Sequence, residues 1–306
     1  QTICENASAI ISGATQTNGS PRWIISSGSG SLSNANSLTP SYTATSADRG
    51  NTVILNMIVT STNSCAPQSD TAMYTINVDK LPTAVSGNST TICAEALYTL
   101  KTGEASATDG TITWTENGLG TISGNNETPT YTSSIGDAGN PVTLTMIVAS
   151  NNTCGAAKDS ANFLVNVRPL MDAQITTSSP TACEGDPLQI IFTASNGRSL
   201  PYTISYTVDG GSPLTISTIG NNRVTVIGAN TNNVDSLKYR IVNVSDGDCS
   251  NAISGAIKTV TVNPLPKASI IGNDEVCQDS LVSDIVFKAY NATAPYQITY
   301  SVNNSL

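Results

Sequence analysis

The chain has 306 residues, of which 39% are hydrophobic and only 11% charged, and it carries a net charge of −9. This composition is too apolar for a disordered chain, and the 13 scattered lysine and arginine residues argue against a nucleic-acid partner, which requires clustered cations. The sequence contains no histidine, which removes the usual general base and the commonest metal ligand, and no apolar run is long enough to predict a membrane span.

The sequence repeats itself with a shift of 89 residues. Thr2-Ile3-Cys4 returns as Thr91-Ile92-Cys93, and the same shift relates Tyr42 to Tyr131, Asp48 to Asp137, Cys65 to Cys154 and Val78 to Val167. A fixed period of domain size predicts a row of similar modules.

Apolar residues alternate with polar ones along several segments of each module. In module one they alternate from Val53 to Val59 and from Ala72 to Val78, and module two repeats both segments at 142–148 and 161–167. Module three has one such segment at Leu237, Tyr239 and Ile241. Period-two alternation predicts strands with one buried face, and glycine and asparagine between the segments predict turns. The predicted fold class is therefore all-β, with tandem immunoglobulin-like β-sandwiches.

Prolines mark the predicted module boundaries. They follow the last strands at Leu81-Pro82, Arg168-Pro169 and Pro264-Leu265-Pro266. The predicted modules are 1–81, 82–168, 169–264 of a different subtype, and 265–306 as the first part of a fourth. Modules three and four share Pro-Tyr-x-Ile-x-Tyr-x-Val, at 201–208 and 295–302. Short joints without flexible linkers predict a rod-like array, and the absence of a signal peptide before Gln1 predicts an internal piece of a longer protein.

Seven cysteines alternate between long and short gaps. They occupy positions 4, 65, 93, 154, 183, 249 and 277. No pair has the short spacing of a metal site, so the alternation predicts one disulfide within each module: Cys4–Cys65, Cys93–Cys154 and Cys183–Cys249. Cys277 would find its partner outside the chain. Disulfides imply an oxidising compartment.

Two kinds of repeated residue carry alternative roles. Trp23 and Trp114 lie in apparent strands and are interpreted as core residues, the alternative being a carbohydrate-stacking platform. Asp48 and Asp137 precede a strand and are interpreted as turn caps. Calcium is the alternative ligand for these aspartates, although Ca²⁺ favours several carboxylates close together. No other cofactor is predicted.

No motif in the sequence indicates a catalytic mechanism. The carboxylates are scattered, and no motif marks a glycosidase pair among them. The chain is therefore predicted not to be an enzyme.

The shared motifs resemble those of a known family. The pattern Thr-Ile-Cys … Trp … Gly-x-Gly-Thr-Ile-Ser … Thr-Pro-x-Tyr … Asp-x-Gly-Asn-x-Val-x-Leu-x-Met … Cys … Val-Asn-Val-x-Pro runs from Thr91 to Pro169, with a close copy from Thr2 to Pro82. It resembles the PKD-like and immunoglobulin-like repeats of very large Bacteroidetes surface proteins, of which the gliding-motility adhesins are the best known. The resemblance implies type IX secretion, display on the outer cell surface, and contact with the secretion and motility machinery.

The resemblance also implies O-glycosylation, because such bacteria modify Ser or Thr in Asp-Ser/Thr-apolar tripeptides. Four tripeptides fit, and their candidate acceptor residues are Thr71, Ser160, Ser236 and Ser280.

Three functional hypotheses follow. The first is a structural stalk segment of a secreted or cell-surface adhesin, which displays adhesive elements away from the cell for gliding or attachment. The second is that the modules themselves bind an extracellular polysaccharide or protein. The third is an accessory region of a large secreted enzyme.

Overall fold

A computed structural model describes residues 1–198, 200–272, 275–281, 284–291 and 293–302, without the side chains of residues 228 and 229. The chain forms two compact units, Gln1–Arg168 and Pro169–Leu306. Strands dominate the described residues, and two 3₁₀ turns, Ser46–Asp48 and Ile135–Asp137, accompany them. No helix in the described part is long and apolar enough to cross a bilayer.

The first seven strands build one sandwich. They are β1 (Thr2–Cys4), β2 (Ser8–Ile10), β3 (Gly19–Ser27), β4 (Ser31–Ser33), β5 (Ser41–Thr43), β6 (Thr52–Ser61) and β7 (Ser69–Asp79). One sheet has the order β1-β7-β6-β3 and the other β2-β5-β4. Strand β1 pairs with β7 in parallel, whereas the other pairs are antiparallel. The alternating residues of β6 and β7 bury one face against the core, as the period-two pattern requires.

Residues 83–168 repeat this arrangement. Their strands are β8 (Thr83–Ser86), β9 (Ser89–Cys93), β10 (Leu97–Thr99), β11 (Ala105–Thr108), β12 (Gly110–Glu116), β13 (Thr121–Ser123), β14 (Thr130–Thr132), β15 (Pro141–Ser150) and β16 (Lys158–Arg168). The sheets are β12-β15-β16-β9 and β10-β14-β13, and β8 pairs with β11 as a separate ribbon. Strand β9 pairs with β16 in parallel, as β1 does with β7.

The second unit has a related but different sandwich. Its strands are β17 (Asp172–Thr177), β18 (Thr181–Cys183), β19 (Leu188–Ser195), β20 (Thr203–Val208), β21 (Leu214–Ser217), β22 (Arg223–Ala229), β23 (Ser236–Ser245), β24 (Ser250–Ala252) and β25 (Ile257–Asn263). One sheet is β17-β19-β22 and the other β18-β25-β23-β20-β21, with β24 beside β23. Phe192 and Tyr206 lie in its core with ring centroids 4.6 Å apart.

A hairpin of β26 (Lys267–Ile271) and β27 (Val286–Tyr290) follows. Both predicted strand segments of modules one and two are strands in the structure, and the predicted all-β class of tandem β-sandwich modules is confirmed. The three module boundaries and the rod-like array stay predictions.

The cysteine pairing differs from the prediction. Cys4 is bonded to Cys154, so the predicted bridges Cys4–Cys65 and Cys93–Cys154 are wrong. Cys65, Cys183 and Cys277 are exposed free thiols, which also rules out Cys183–Cys249 in this structure. Cys93 and Cys249 are disulfide-bonded.

The strand topology explains this correction. Cys4 lies opposite Asp79, at the C-terminal end of β7, whereas Cys65 lies just before β7 begins at Ser69. An 11-residue strand at ~3.3 Å per residue separates the two cysteines by roughly 35 Å. A disulfide requires Cα atoms within about 7 Å, so the two cysteines of one module lie at opposite ends of its sandwich and cannot meet.

Candidate functional site

A buried aspartate ties three segments of module one together. Asp48 ends the first 3₁₀ turn and is only 2% exposed. Its Oδ2 accepts hydrogen bonds from Tyr42 Oη at 2.8 Å and from Thr45 N at 3.0 Å, and its Oδ1 accepts one from Ser29 N at 2.6 Å. Tyr42 Oη accepts in turn from Gly30 N at 2.8 Å. We call this network the Tyr–Asp tie.

Module two contains the same tie, with its tyrosine and aspartate 89 residues later and the donor of the Gly-x-Gly segment 90 residues later. Asp137 accepts hydrogen bonds from Tyr131 Oη at 2.8 Å, Ser134 N at 3.0 Å and Leu119 N at 2.6 Å. Tyr131 is fully buried and Asp137 is 3% exposed. The repeated Gly-x-Gly, Thr-Pro-x-Tyr and Asp-x-Gly-Asn motifs of the sequence therefore converge on one network in each of these modules.

Burial and these contacts shift the pKa values of the tyrosine and the aspartate in each tie. Burial raises the pKa of Tyr42 to about 12, and the neighbouring Asp48 carboxylate adds to the effect. Burial opposes ionisation of Asp48, but hydrogen bonds from Thr45 and Ser29 outweigh it and lower the Asp48 pKa. In module two, burial likewise raises the pKa of Tyr131, and hydrogen bonds likewise lower the pKa of Asp137. Each tie therefore holds a neutral phenol against an ionised carboxylate at neutral pH.

The raised pKa of Tyr42 predicts that its contribution to stability is lost at alkaline pH. A folded-state pKa of about 12 exceeds the ordinary value near 10, so the stability that the phenol contributes is present below pH ~10 and is lost as the pH rises towards 12. We expect Tyr42→Phe to be less stable than the parent at pH 9, and the gap in free energy of unfolding to narrow by pH 11.5. Urea titrations at several pH values measure the gap, with exposed Tyr300→Phe as the control. A gap that does not change with pH would contradict the tie.

Close packing explains the second glycine of Gly-x-Gly. A Cβ atom on Gly120 would lie 2.5 Å from Tyr131 Oη and 2.7 Å from Tyr131 Cζ, and one on Gly30 would lie 2.6 Å from the same two atoms of Tyr42. These distances are well inside van der Waals contact. Only glycine lets the loop backbone approach the phenol.

Gly120→Ala is therefore expected to destabilise residues 1–168 by about 2–3 kcal/mol, because the added methyl group clashes with the backbone carbonyl of Thr132 and with the Tyr131 ring. Gly87→Ala is a matched control, since a Cβ atom there meets no atom within 4 Å. Urea denaturation followed by tryptophan fluorescence measures both variants. Equal free energies of unfolding for Gly120→Ala and Gly87→Ala would show that the loop adjusts to the added methyl group, and would contradict this prediction.

The turn-capping interpretation of Asp48 and Asp137 is confirmed, because each side chain closes a capping box around its 3₁₀ turn. Both carboxylates accept hydrogen bonds from N–H and O–H donors, which leave little room for the oxygen shell of a calcium ion. Within the described residues no group of three Cys, Asp or Glu side chains could hold a metal.

The tryptophans are core residues, as predicted. Trp23 and Trp114 are 4% and 7% exposed. Their indole N–H groups donate to Ser37 O at 3.0 Å and Asn126 O at 2.8 Å. Neither ring is available as a stacking platform for a sugar.

The joint between the first two modules, residues 79–82, is held by side chains and by a covalent bond. Asp79 Oδ2 accepts hydrogen bonds from Thr153 N at 3.0 Å and Thr153 Oγ1 at 2.7 Å. Asn152 Nδ2 donates to Lys80 O at 2.9 Å. The Cys4–Cys154 disulfide lies beside these contacts and joins the end of β1 to the loop between β15 and β16. The loop between β15 and β16 therefore holds module two to the end of module one through hydrogen bonds and a disulfide.

A cleft of about 340 Å³ lies beside the joint, lined in part by Glu5, Arg49, Lys80 and Asp109. The side chain of Glu5 is 9% exposed, and its Oε2 has no hydrogen-bond partner. The mixed charges define no class of ligand.

The four candidate glycosylation residues are exposed. Thr71 lies on β7, Ser160 on β16 and Ser236 on β23, and Ser280 lies in a turn. Exposure makes each hydroxyl accessible to a modifying enzyme, and their glycosylation stays a prediction.

The sequence carried a signal for one of these side-chain contacts and none for another. The tie between Tyr42 and Asp48 had a signal, because both residues recur six positions apart in modules one and two. The contact of Asp79 with Thr153 had none, because the residue 89 positions after Asp79 is Arg168.

No family model and no curated protein matches the chain. Among solved structures, it is similar to the I67–I69 fragment from the I-band of titin, with a TM-score of 0.43, 12% identity, and 87% of this chain and 95% of that chain covered. It is also similar to the N-terminal eight Ig domains of Down syndrome cell adhesion molecule, with a TM-score of 0.40, 13% identity, and 89% and 37% covered. The fold assignment rests on the strand pairing described above.

Proposed function

We propose that the chain is a structural stalk segment of a secreted or cell-surface adhesin, whose modules hold adhesive elements away from the cell. The observation that carries this proposal is the disulfide across the joint between the first two modules. A bridge that links modules fixes their connection, whereas a bridge inside a module would only stabilise that module. Export by type IX secretion, a role in gliding or attachment, and display on the outer surface belong to the same proposal through the family resemblance.

The disulfide also changes how the chain carries tension. Cys4 lies near the start of the first unit and Cys154 near its end, at a sequence separation of 150. Force applied at the ends of this unit passes through the bond, so the backbone between the two cysteines is not loaded. The first sandwich is thus shielded from extension, and in the second sandwich only β16, which follows Cys154, remains loaded, a property that suits a load-bearing stalk.

Pulling single molecules of the full chain between handles attached at Gln1 and Arg168, the ends of the first unit, tests the proposal. With the disulfide intact, we expect the extension from the first unit to exclude the segment between Cys4 and Cys154. Reduction should release that segment and add roughly 500 Å of contour length, at about 3.5 Å per residue. Cys65→Ser serves as the control and should behave like the parent. Full extension under oxidising conditions would contradict a shielding role.

The ligand-binding alternative requires exposed aromatic side chains gathered on one face. Within the described residues, the exposed aromatic side chains are Tyr290, Tyr296 and Tyr300. The counterparts of the last two in module three, Tyr202 and Tyr206, are buried. The structure therefore offers no observation that favours a binding surface, and binding of the isolated chain to a glycan array would reverse this preference.

We also propose O-glycans on Thr71 and Ser160, which occupy equivalent exposed positions of β7 and β16. Intact-mass spectrometry of the protein from its natural source should show glycan mass, and replacement of both residues by alanine should remove part of it. Unmodified native protein would contradict this proposal.

A further inference from the structure

We propose that the loop around Cys65 is a docking site for the strand end of a second copy of this chain, and that Cys65 forms a disulfide there with Cys183 of that copy. The proposal goes beyond a stalk function, because it predicts head-to-tail covalent assembly. It rests on a comparison between two loops of the same chain, one engaged and one unengaged.

The two loops have the same internal structure. In module two, Asn152 Oδ1 accepts hydrogen bonds from Ser150 Oγ at 2.8 Å and Cys154 N at 2.9 Å. In module one, Asn63 Oδ1 accepts from Ser61 Oγ at 2.7 Å and Cys65 N at 2.9 Å. The loop of module one therefore presents its cysteine as the loop of module two does.

The loop of module two uses its outward groups to bind a strand end. Its asparagine amide, the backbone and hydroxyl of the next residue, and its cysteine sulfur contact Lys80, Asp79 and Cys4. The corresponding groups of module one belong to Asn63, Ser64 and Cys65, which are exposed. The hydrogen bonds that the structure gives these three residues stay within their own loop.

Module three presents the complementary half. Cys183 lies opposite Asn263 at the end of β25, in the parallel register that places Cys4 opposite Asp79 at the end of β7. Glu184 N donates to Asn263 O at 2.9 Å, as Glu5 N does to Asp79 O at 3.0 Å. Asn263 is exposed and its Oδ1 can accept the hydrogen bonds that Asp79 accepts from Thr153. Cys183 is an exposed free thiol.

The bond forms by thiol–disulfide exchange with a small disulfide such as oxidised glutathione. The Cys65 thiolate attacks that disulfide and releases one glutathione thiol. The Cys183 thiolate then attacks the mixed disulfide, releases the second, and leaves a Cys65–Cys183 bond, so two protein thiols are oxidised and one glutathione disulfide is reduced. Because the two halves lie on different modules, the contact is heterologous and leads to open-ended chains.

The test incubates the full chain with a glutathione redox buffer, in a Cys277→Ser background that removes the third free thiol. We expect a ladder of covalent oligomers on non-reducing gels and a Cys65–Cys183 peptide in the mass spectrum. Cys65→Ser and Cys183→Ser should each stop the ladder at the dimer or below. Absence of oligomers, or symmetric Cys65–Cys65 and Cys183–Cys183 links in shares equal to the mixed link, would overturn the proposal.

A second variant separates docking from thiol reactivity. Asn63→Asp keeps the oxygen that organises the loop but removes the amide donor that would contact the partner strand. The initial rate of Cys65–Cys183 formation should fall roughly tenfold, the effect of losing about one hydrogen bond. Labelling of Cys65 by a neutral small thiol reagent is the control and should stay within a few-fold of the parent. An unchanged rate of Cys65–Cys183 formation would show that the loop does not dock.

Discussion

Replacing Cys154 by serine is expected to lower the free energy of unfolding of residues 1–168 by about 4–5 kcal/mol. The Cys4–Cys154 bond spans 150 residues, and closing a loop of this length removes about 5 kcal/mol of entropy from the unfolded chain in the chain-entropy model. Both tryptophans of the chain, Trp23 and Trp114, lie in this unit. Urea denaturation followed by tryptophan fluorescence therefore reports on the first unit alone.

Cys65→Ser is the matched control for this experiment. Cys65 is an exposed free thiol, so its replacement should change the free energy of unfolding by less than about 0.5 kcal/mol. Cys4→Ser should match Cys154→Ser, and the double variant should cost no more than either, because both remove one bond. If Cys65→Ser destabilised the unit as much as Cys4→Ser does, the result would instead support a Cys4–Cys65 bond within module one.

Asp137→Ala is expected to destabilise the same unit by about 3–4 kcal/mol. The change removes the acceptor of Tyr131 Oη, Ser134 N and Leu119 N. Hydrogen bonds to a charged group contribute about 1.5–3 kcal/mol each, and buried donors left without a partner add a desolvation cost. Asp70→Ala is the control, because Asp70 is exposed and accepts a hydrogen bond from its neighbour Thr71 N.

The pH dependence of this effect distinguishes the tie from a general loss of packing. The hydrogen bonds lower the folded-state pKa of Asp137, so its stabilising effect is present above the unfolded-state pKa near 4 and is lost as the pH falls through the lower folded-state value. The difference in stability between the parent and Asp137→Ala should shrink in acid. A difference that stays constant from pH 7 to pH 2 would contradict an ionised tie.

The strands and the core residues could be predicted, because alternating apolar residues indicate both a strand and the face that it buries. Alternation from Val142 to Val148 becomes the buried face of β15, with Leu144 and Met146 fully buried. The capping role of Asp137 could also be predicted, because an aspartate before a strand has few other local uses. These inferences depend on residues that are near one another in the sequence.

The cysteine pairing could not be predicted from spacing. The spacing shows that long and short gaps between cysteines alternate, but it does not show at which end of a sandwich each cysteine lies. The parallel pairing of β1 with β7 decides this, because it places Cys4 beside Asp79 and far from Cys65. Nothing in the three residues of β1 predicts a parallel partner 75 residues away, since such pairing depends on the whole sandwich.

The bond between Cys4 and Cys154 also affects how the protein withstands proteases. It closes most of the first unit into a covalent ring. A protease that cuts one peptide bond anywhere between these cysteines opens the ring but leaves its two pieces joined by sulfur. Separation of the upstream and downstream parts of the molecule then requires either a second cut outside the ring or reduction of the disulfide, so a single nick in an exposed loop does not detach whatever lies beyond it.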